Sequence, residues 1–160
     1  MKIKKVIILI IIIVIVLGVG LFIFNKKNKS VDMDKLEAEI LDVYDDINVY
    51  DQYDISLYFG IDYDFLSSTS DSYFFIGDYT PDDENTQFDA NELVIVINSS
   101  EYEYFYEILK GFLDSNINNR DSSSNLSLYT DAILEKDSGY VYLILGSKND
   151  QIENIIKKYY

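Results

Sequence analysis

Nineteen consecutive residues, Val6 to Phe24, carry no charged or polar side chain. No other stretch limits the chain's options so strongly. A helix of that length reaches roughly 28 Å, close to the hydrocarbon thickness of a bilayer. A core helix of a water-soluble protein would show a polar face, and this segment is apolar all round. Its β-branched residues Ile10 to Val16 would favour a strand in water. In lipid a lone strand leaves its backbone groups unsatisfied, so a helix is expected. Lys2, Lys4 and Lys5 precede the run, and Lys26, Lys27 and Lys29 follow it. An apolar run that continues past Gly18-Val19-Gly20 and then meets lysines reads as an anchor rather than a cleaved leader. Lysines balance on the two sides, and the α-amino group adds one charge to the front, which favours that end inside. The expected organisation is a cytoplasmic basic tail (1–5), a transmembrane helix (6–24), a juxtamembrane linker (25–33) and an extracytoplasmic domain (34–160).

The charge of residues 30–160 excludes whole classes of partner. Of 13 Lys and Arg, six lie at or before Lys29, leaving seven against all 28 Asp and Glu, a net −21. Such a surface repels phosphate backbones, so nucleic acid is not an expected partner. Its first consequence is solubility by self-repulsion. Dense Ile, Leu, Val, Phe and Tyr in periodic runs argue for a packed domain rather than a disordered acidic tail. No cysteine is present, which removes disulfides, thiol catalysis, thiolate metal sites and a lipid-modified cysteine together. The fifteen tyrosines match a composition rich in Ile, Asn and Lys, as an AT-rich genome would produce, and by number alone need no binding role.

Periodicity divides the domain into alternating elements. Leu36, Ile40, Val43, Tyr44 and Ile47 form one apolar stripe, predicting a helix over 30–48 with Asp32 and Asp34 in its first turn. Residues 57–62 read as a short helical turn ended by Gly60, and residues 67–72 as a loop. Tyr73 to Ile76 and Leu93 to Ile97 read as strands, the second central because it lacks alternation. Ser100 and Glu103 have capping-box spacing before a helix with Phe105, Ile108, Leu109, Phe112, Leu113 and Ile117 on one face. Residues 116–127 read as a polar loop. Ala132–Glu135 and Tyr140–Leu145 suit a hairpin turning at Gly139, and a last helix places Ile152, Ile155, Ile156 and Tyr159 inward. Leu93–Ser99 and Val141–Ser147 also echo each other at an offset of 48, a recurrence of strand, turn and helix. The expected fold class is α+β, helix-β-β-helix-β-β-helix, with a mainly antiparallel four-stranded sheet and helices packed on one face.

Three stretches carry a resemblance: Tyr58-Phe59-Gly60-Ile61-Asp62, Asn91 to Ile97 running into the Ser100 helix, and Gly139 to Leu145 with the terminal helix. Across roughly residues 34–158 the chain resembles domain-of-unknown-function family 4358, small extracytoplasmic proteins of low-GC Gram-positive bacteria with an N-terminal membrane anchor or lipobox. The resemblance implies a location and an architecture, and no known activity. The chain departs from it in lacking a lipobox cysteine and in having no proline after Tyr129.

Catalytic chemistry has little to work with. There is no histidine, hence no general base with an ordinary titration near neutrality. Asp62 and Asp89 are the carboxylate pair a hydrolase could use. Ser147-Lys148 reads as a helix start, and Arg120, the only arginine, as a loop residue. No phosphate-binding glycine loop occurs. In the loop of residues 78–89, Asp82, Glu84, Asn85 and Asp89 are oxygen ligands of the kind calcium takes, without EF-hand spacing. No cofactor is expected, calcium being the one candidate ion. The expected function is a membrane-anchored, non-enzymatic module that binds or senses another envelope protein. The alternatives are a carboxylate-dependent hydrolase of envelope glycans and a calcium-responsive binding module.

Overall fold

The computed structural model describes residues 31–44, 47–77, 92–119 and 126–160. The apolar segment 6–24 lies outside them, and among the described residues no helix is long and apolar enough to cross a membrane. Residues Asp32–Tyr160 form one compact unit.

That unit is α+β, and its described residues form six helices and a five-stranded antiparallel sheet. In chain order the elements are α1 (Met33–Leu41), β1 (Asn48–Tyr50), α2 (Gln52–Phe59), α3 (Tyr63–Thr69), β2 (Ser70–Gly77), β3 (Leu93–Ser99), α4 (Tyr102–Asn119), α5 (Leu126–Thr130), β4 (Ile133–Asp137), β5 (Tyr140–Leu145) and α6 (Asn149–Tyr159). The strands lie in the order β1-β2-β3-β5-β4. As expected, β3 is central, pairing Ile76↔Val94 on one side and Ile95↔Leu143 on the other. The β4–β5 hairpin closes through Ser138-Gly139, with Asp137 opposite Tyr140 and Gly139 at φ 103°.

Two expectations about the layers of the fold are corrected. The sheet has five strands rather than four, because the three residues Asn48–Tyr50 pair with β2 in the register Val49↔Ile76. They sit where helix 30–48 was expected to end; that helix stops at Leu41 instead. The helices also cover both faces rather than one. Side chains alternate across a strand, so a strand buried at every position is covered on both sides. Residues 93–97 of β3 and 141–145 of β5 are all buried. Leu93, Ile95 and Ile97, with Val141, Leu143 and Leu145, pack against Ile55, Ile61, Leu66, Phe105, Leu109, Leu113 and Tyr129. That face is roofed by α2 to α5. The opposite set, Val94, Val96, Tyr142 and Ile144, faces α1 and α6, where the Tyr142 hydroxyl donates to Glu153 Oε1 of α6 at 3.1 Å. Leu36, Ile40, Ile152 and Ile156 are fully buried in that layer. Each such aliphatic side chain contributes about 1.5–3 kcal/mol on burial. The helices after the two echoing strands therefore lie on opposite faces.

Local chemistry explains the short helices. Asp51 Oδ1 accepts from Tyr53 N at 2.8 Å and Asp54 N at 3.2 Å, while Asp54 Oδ2 accepts from Asp51 N, a full capping box for α2. Gly60 ends it at φ 62°, a conformation open to glycine without a Cβ penalty. Asp62 Oδ1 then accepts from Phe65 N at 2.8 Å and opens α3. The segment 67–72, expected as loop, is the end of α3 and the start of β2. Much of the expected loop 116–127 is also helical, since α4 runs to Asn119 and α5 begins at Leu126. The start of α4 uses Ser99, whose Oγ accepts from Glu101 N at 3.0 Å, while Glu103 pairs with Lys136.

Candidate functional site

Most of the residues singled out from sequence fall outside the described part of the chain. Asp82, Glu84, Asn85, Asp89 and Arg120 lie outside the described residues. Among the described residues no group of three or more acidic side chains is placed to hold a metal ion. Asp62 serves as the cap of α3.

Ser147 and Lys148 do join a polar cluster, though with partners the sequence did not suggest. Glu92 stands at the foot of β3 and takes both donors of Ser147: the hydroxyl at 2.5 Å and the backbone N–H at 3.2 Å, each to Oε1. Tyr44, beyond the end of α1, donates its hydroxyl to Glu92 Oε2 at 3.2 Å. Lys148 Nζ donates to Val43 O at 2.6 Å and lies 4.7 Å from the Tyr44 ring centroid. Burial first, and then the Glu92 charge, pushes the Tyr44 phenol far above its ordinary value. Gly146, at φ 151°, makes room for this arrangement. A Cβ there would sit 1.9 Å from Glu92 Oε2.

Chemically the cluster is a carboxylate saturated by donors. A nucleophilic serine needs a base free to accept its proton. Here Glu92 also receives a phenol and a backbone N–H, and the lysine is engaged with a carbonyl and a ring. The cluster ties the end of α1, the start of β3 and the β5–α6 turn into one joint.

Beside the joint, α1 and α6 border an open groove of about 680 Å³ lined by Glu39, Asp42, Val43, Gln151, Asn154, Ile155 and Lys158. Glu39 accepts from Lys158 Nζ at 2.7 Å and from the Tyr159 hydroxyl at 2.8 Å. Those two donors, Lys158 before Tyr159, hold its carboxyl below the usual carboxylate range.

No protein-family model matches the chain, and neither a curated protein nor a solved structure matches it. The family resemblance rests on the residues quoted for it above.

Proposed function

We propose that the chain is a membrane-tethered, non-enzymatic module displayed outside the cytoplasmic membrane, where it binds another envelope protein. The carrying observation is the uninterrupted apolar run 6–24 ahead of a packed unit that contains every acidic residue of the chain. Two further features support the reading. Among the described residues, Asp62 is engaged as the cap of α3, and Ser147 with Glu92 in the joint. The family it resembles implies the same location.

Two measurements test this. After protease treatment of wall-less cells, the acidic domain should be digested while the 1–5 tail is protected. Full-length protein found in the soluble fraction without detergent refutes the tether. Crosslinking in intact cells should capture a reproducible protein partner; repeated failure to do so removes the docking role.

A further inference from the structure

One part of the surface combines exposed apolar side chains with acidic charge that no ion pair among the described residues balances. Tyr53 and Leu57, one turn apart on α2, are 56% and 64% exposed, and Tyr63 at the start of α3 is 44% exposed. The rings of Tyr53 and Tyr63 meet edge to face, 6.0 Å between centroids. Adjacent aromatic and aliphatic groups left in water mark an interaction surface more often than scattered single residues do. Asp51 and Asp54 flank Tyr53, and Asp62 and Asp64 flank Tyr63. The capping bonds of Asp51 and Asp62 use Oδ1 of each. No ion pair among the described residues involves any of the four. Between Lys35 and Lys110 the sequence has nineteen acidic residues and no Lys or Arg.

Elsewhere the same combination of tyrosine and carboxylate already holds a lysine of the chain itself. Lys136 pairs with Glu103 and lies 4.1 Å from the Tyr106 ring centroid. Lys148 lies over Tyr44, whose hydroxyl is bonded to Glu92. An ammonium or guanidinium over a tyrosine face is attracted by the ring quadrupole, and a nearby carboxylate adds to that attraction. Among the described residues, the α2–α3 surface has the rings and the carboxylates with no lysine paired to them. Leu57 adds an apolar seat for the methylene stem of a long basic side chain.

We infer that the Tyr53–Leu57–Tyr63 surface docks a lysine- or arginine-rich segment of a protein partner, with cationic side chains over the rings and between the four aspartates. Charge complementarity selects this occupant. Anionic lipid headgroups would be repelled by the aspartates, and a neutral sugar would use the rings but gain nothing from the field. The inference rests on the docking role proposed above and gives it a place and a chemistry.

Fluorescence anisotropy of the full-length chain in zwitterionic detergent, titrated with a labelled Lys-Ala repeat peptide, tests it. The peptide should bind, and its lysine-acetylated form should not. Tyr53→Ser combined with Tyr63→Ser keeps the net charge and should weaken binding about fivefold or more. Tyr104→Ser, an exposed tyrosine whose ring packs on Phe65 and Phe105 rather than on Tyr53 or Tyr63, should leave binding within about twofold. Leu57→Ser, at the most exposed of the three positions, gives a second reading should the double variant melt early. Failure of the peptide to bind, equal binding of the acetylated peptide, or a smaller loss in the double variant with Leu57→Ser also unchanged overturns the inference. Capture by anionic vesicles in place of the peptide overturns it too. Fractionation reports on the tether independently, so a failed titration with membrane-bound protein sinks this surface alone.

Discussion

The two helical layers covering the sheet solve the same burial problem with different chemistry. The α2–α5 layer is held by rings and aliphatics: Phe59 meets Phe112 with centroids 5.0 Å apart, and Phe105 and Leu109 are fully buried. The α1/α6 layer buries a smaller aliphatic set and adds polar ties. Lys158 and Tyr159 hold Glu39, Lys157 and Tyr142 hold Glu153, and Tyr140 stacks on Tyr160 at 3.7 Å. Four of the seven basic residues after Lys29 belong to this second layer or its approach: Lys35, Lys148, Lys157 and Lys158. In so acidic a chain cations are scarce, and where they cluster the surface is locally balanced. The other layer keeps its field unbalanced around α2 and α3.

The largest effect should come from the aromatic layer. Phe105→Ala leaves a large void beneath the sheet and should cost about 3–5 kcal/mol, read from urea unfolding; a loss below about 1 kcal/mol would show that this layer is not the main source of stability. Next comes the joint of the polar layer. Gly146→Ala places a methyl group against Glu92 in a backbone conformation that resists side chains, and should cost about 2 kcal/mol. Glu92→Ala in the same chain should recover part of that loss, because the clashing carboxylate is gone, and no recovery would place the strain in the backbone alone.

Changes of pH should separate the layers more gently. Glu39 and Glu153 are held low chiefly by Lys158 and Lys157. A depressed carboxyl contributes stability above its ordinary value, and that contribution is lost as pH falls through the folded value. The phenols Tyr44, Tyr142 and Tyr160 are pushed up, in each case first by burial. Their contribution is complete below the ordinary tyrosine value near 10 and is lost progressively as pH rises beyond it. At both extremes, hydrogen exchange should reach α1 and α6 before α4; equal loss in α4 would break the contrast. The smallest effect should be Lys158→Met. The pair with Glu39 is solvent-exposed, and such pairs contribute little, so the melting temperature should barely move.

Several elements were legible because their signals are local. The run Leu93–Ile97 has no polar position, which is what a strand covered on both sides requires, and it is the centre of the sheet. The stripe Ile152, Ile155 and Ile156 marks α6, and Gly60 marks the end of α2. Other elements gave weak or misleading signals. β1 is three residues long and offers no periodicity to detect. The stripe through Val43, Tyr44 and Ile47 continues past the end of α1 because Tyr44 is needed at the joint, not on a helix. Glu92 looked like any other acid, and its partner Ser147 is 55 residues away.

By itself the sequence determined the class of the fold, the identity of its central strand, the glycines that end α2 and turn the β4–β5 hairpin, and the separation of an apolar front segment from an acidic remainder. These follow from residue spacing and from the side-chain demands of single turns and strands, all within a few residues of chain. Tertiary structure alone decided which helix covers which face, that Glu92 gathers Tyr44 and Ser147, and which tyrosines remain in water. Those outcomes depend on strand order and on how distant segments compete for the same buried area, and no local window of sequence contains that competition.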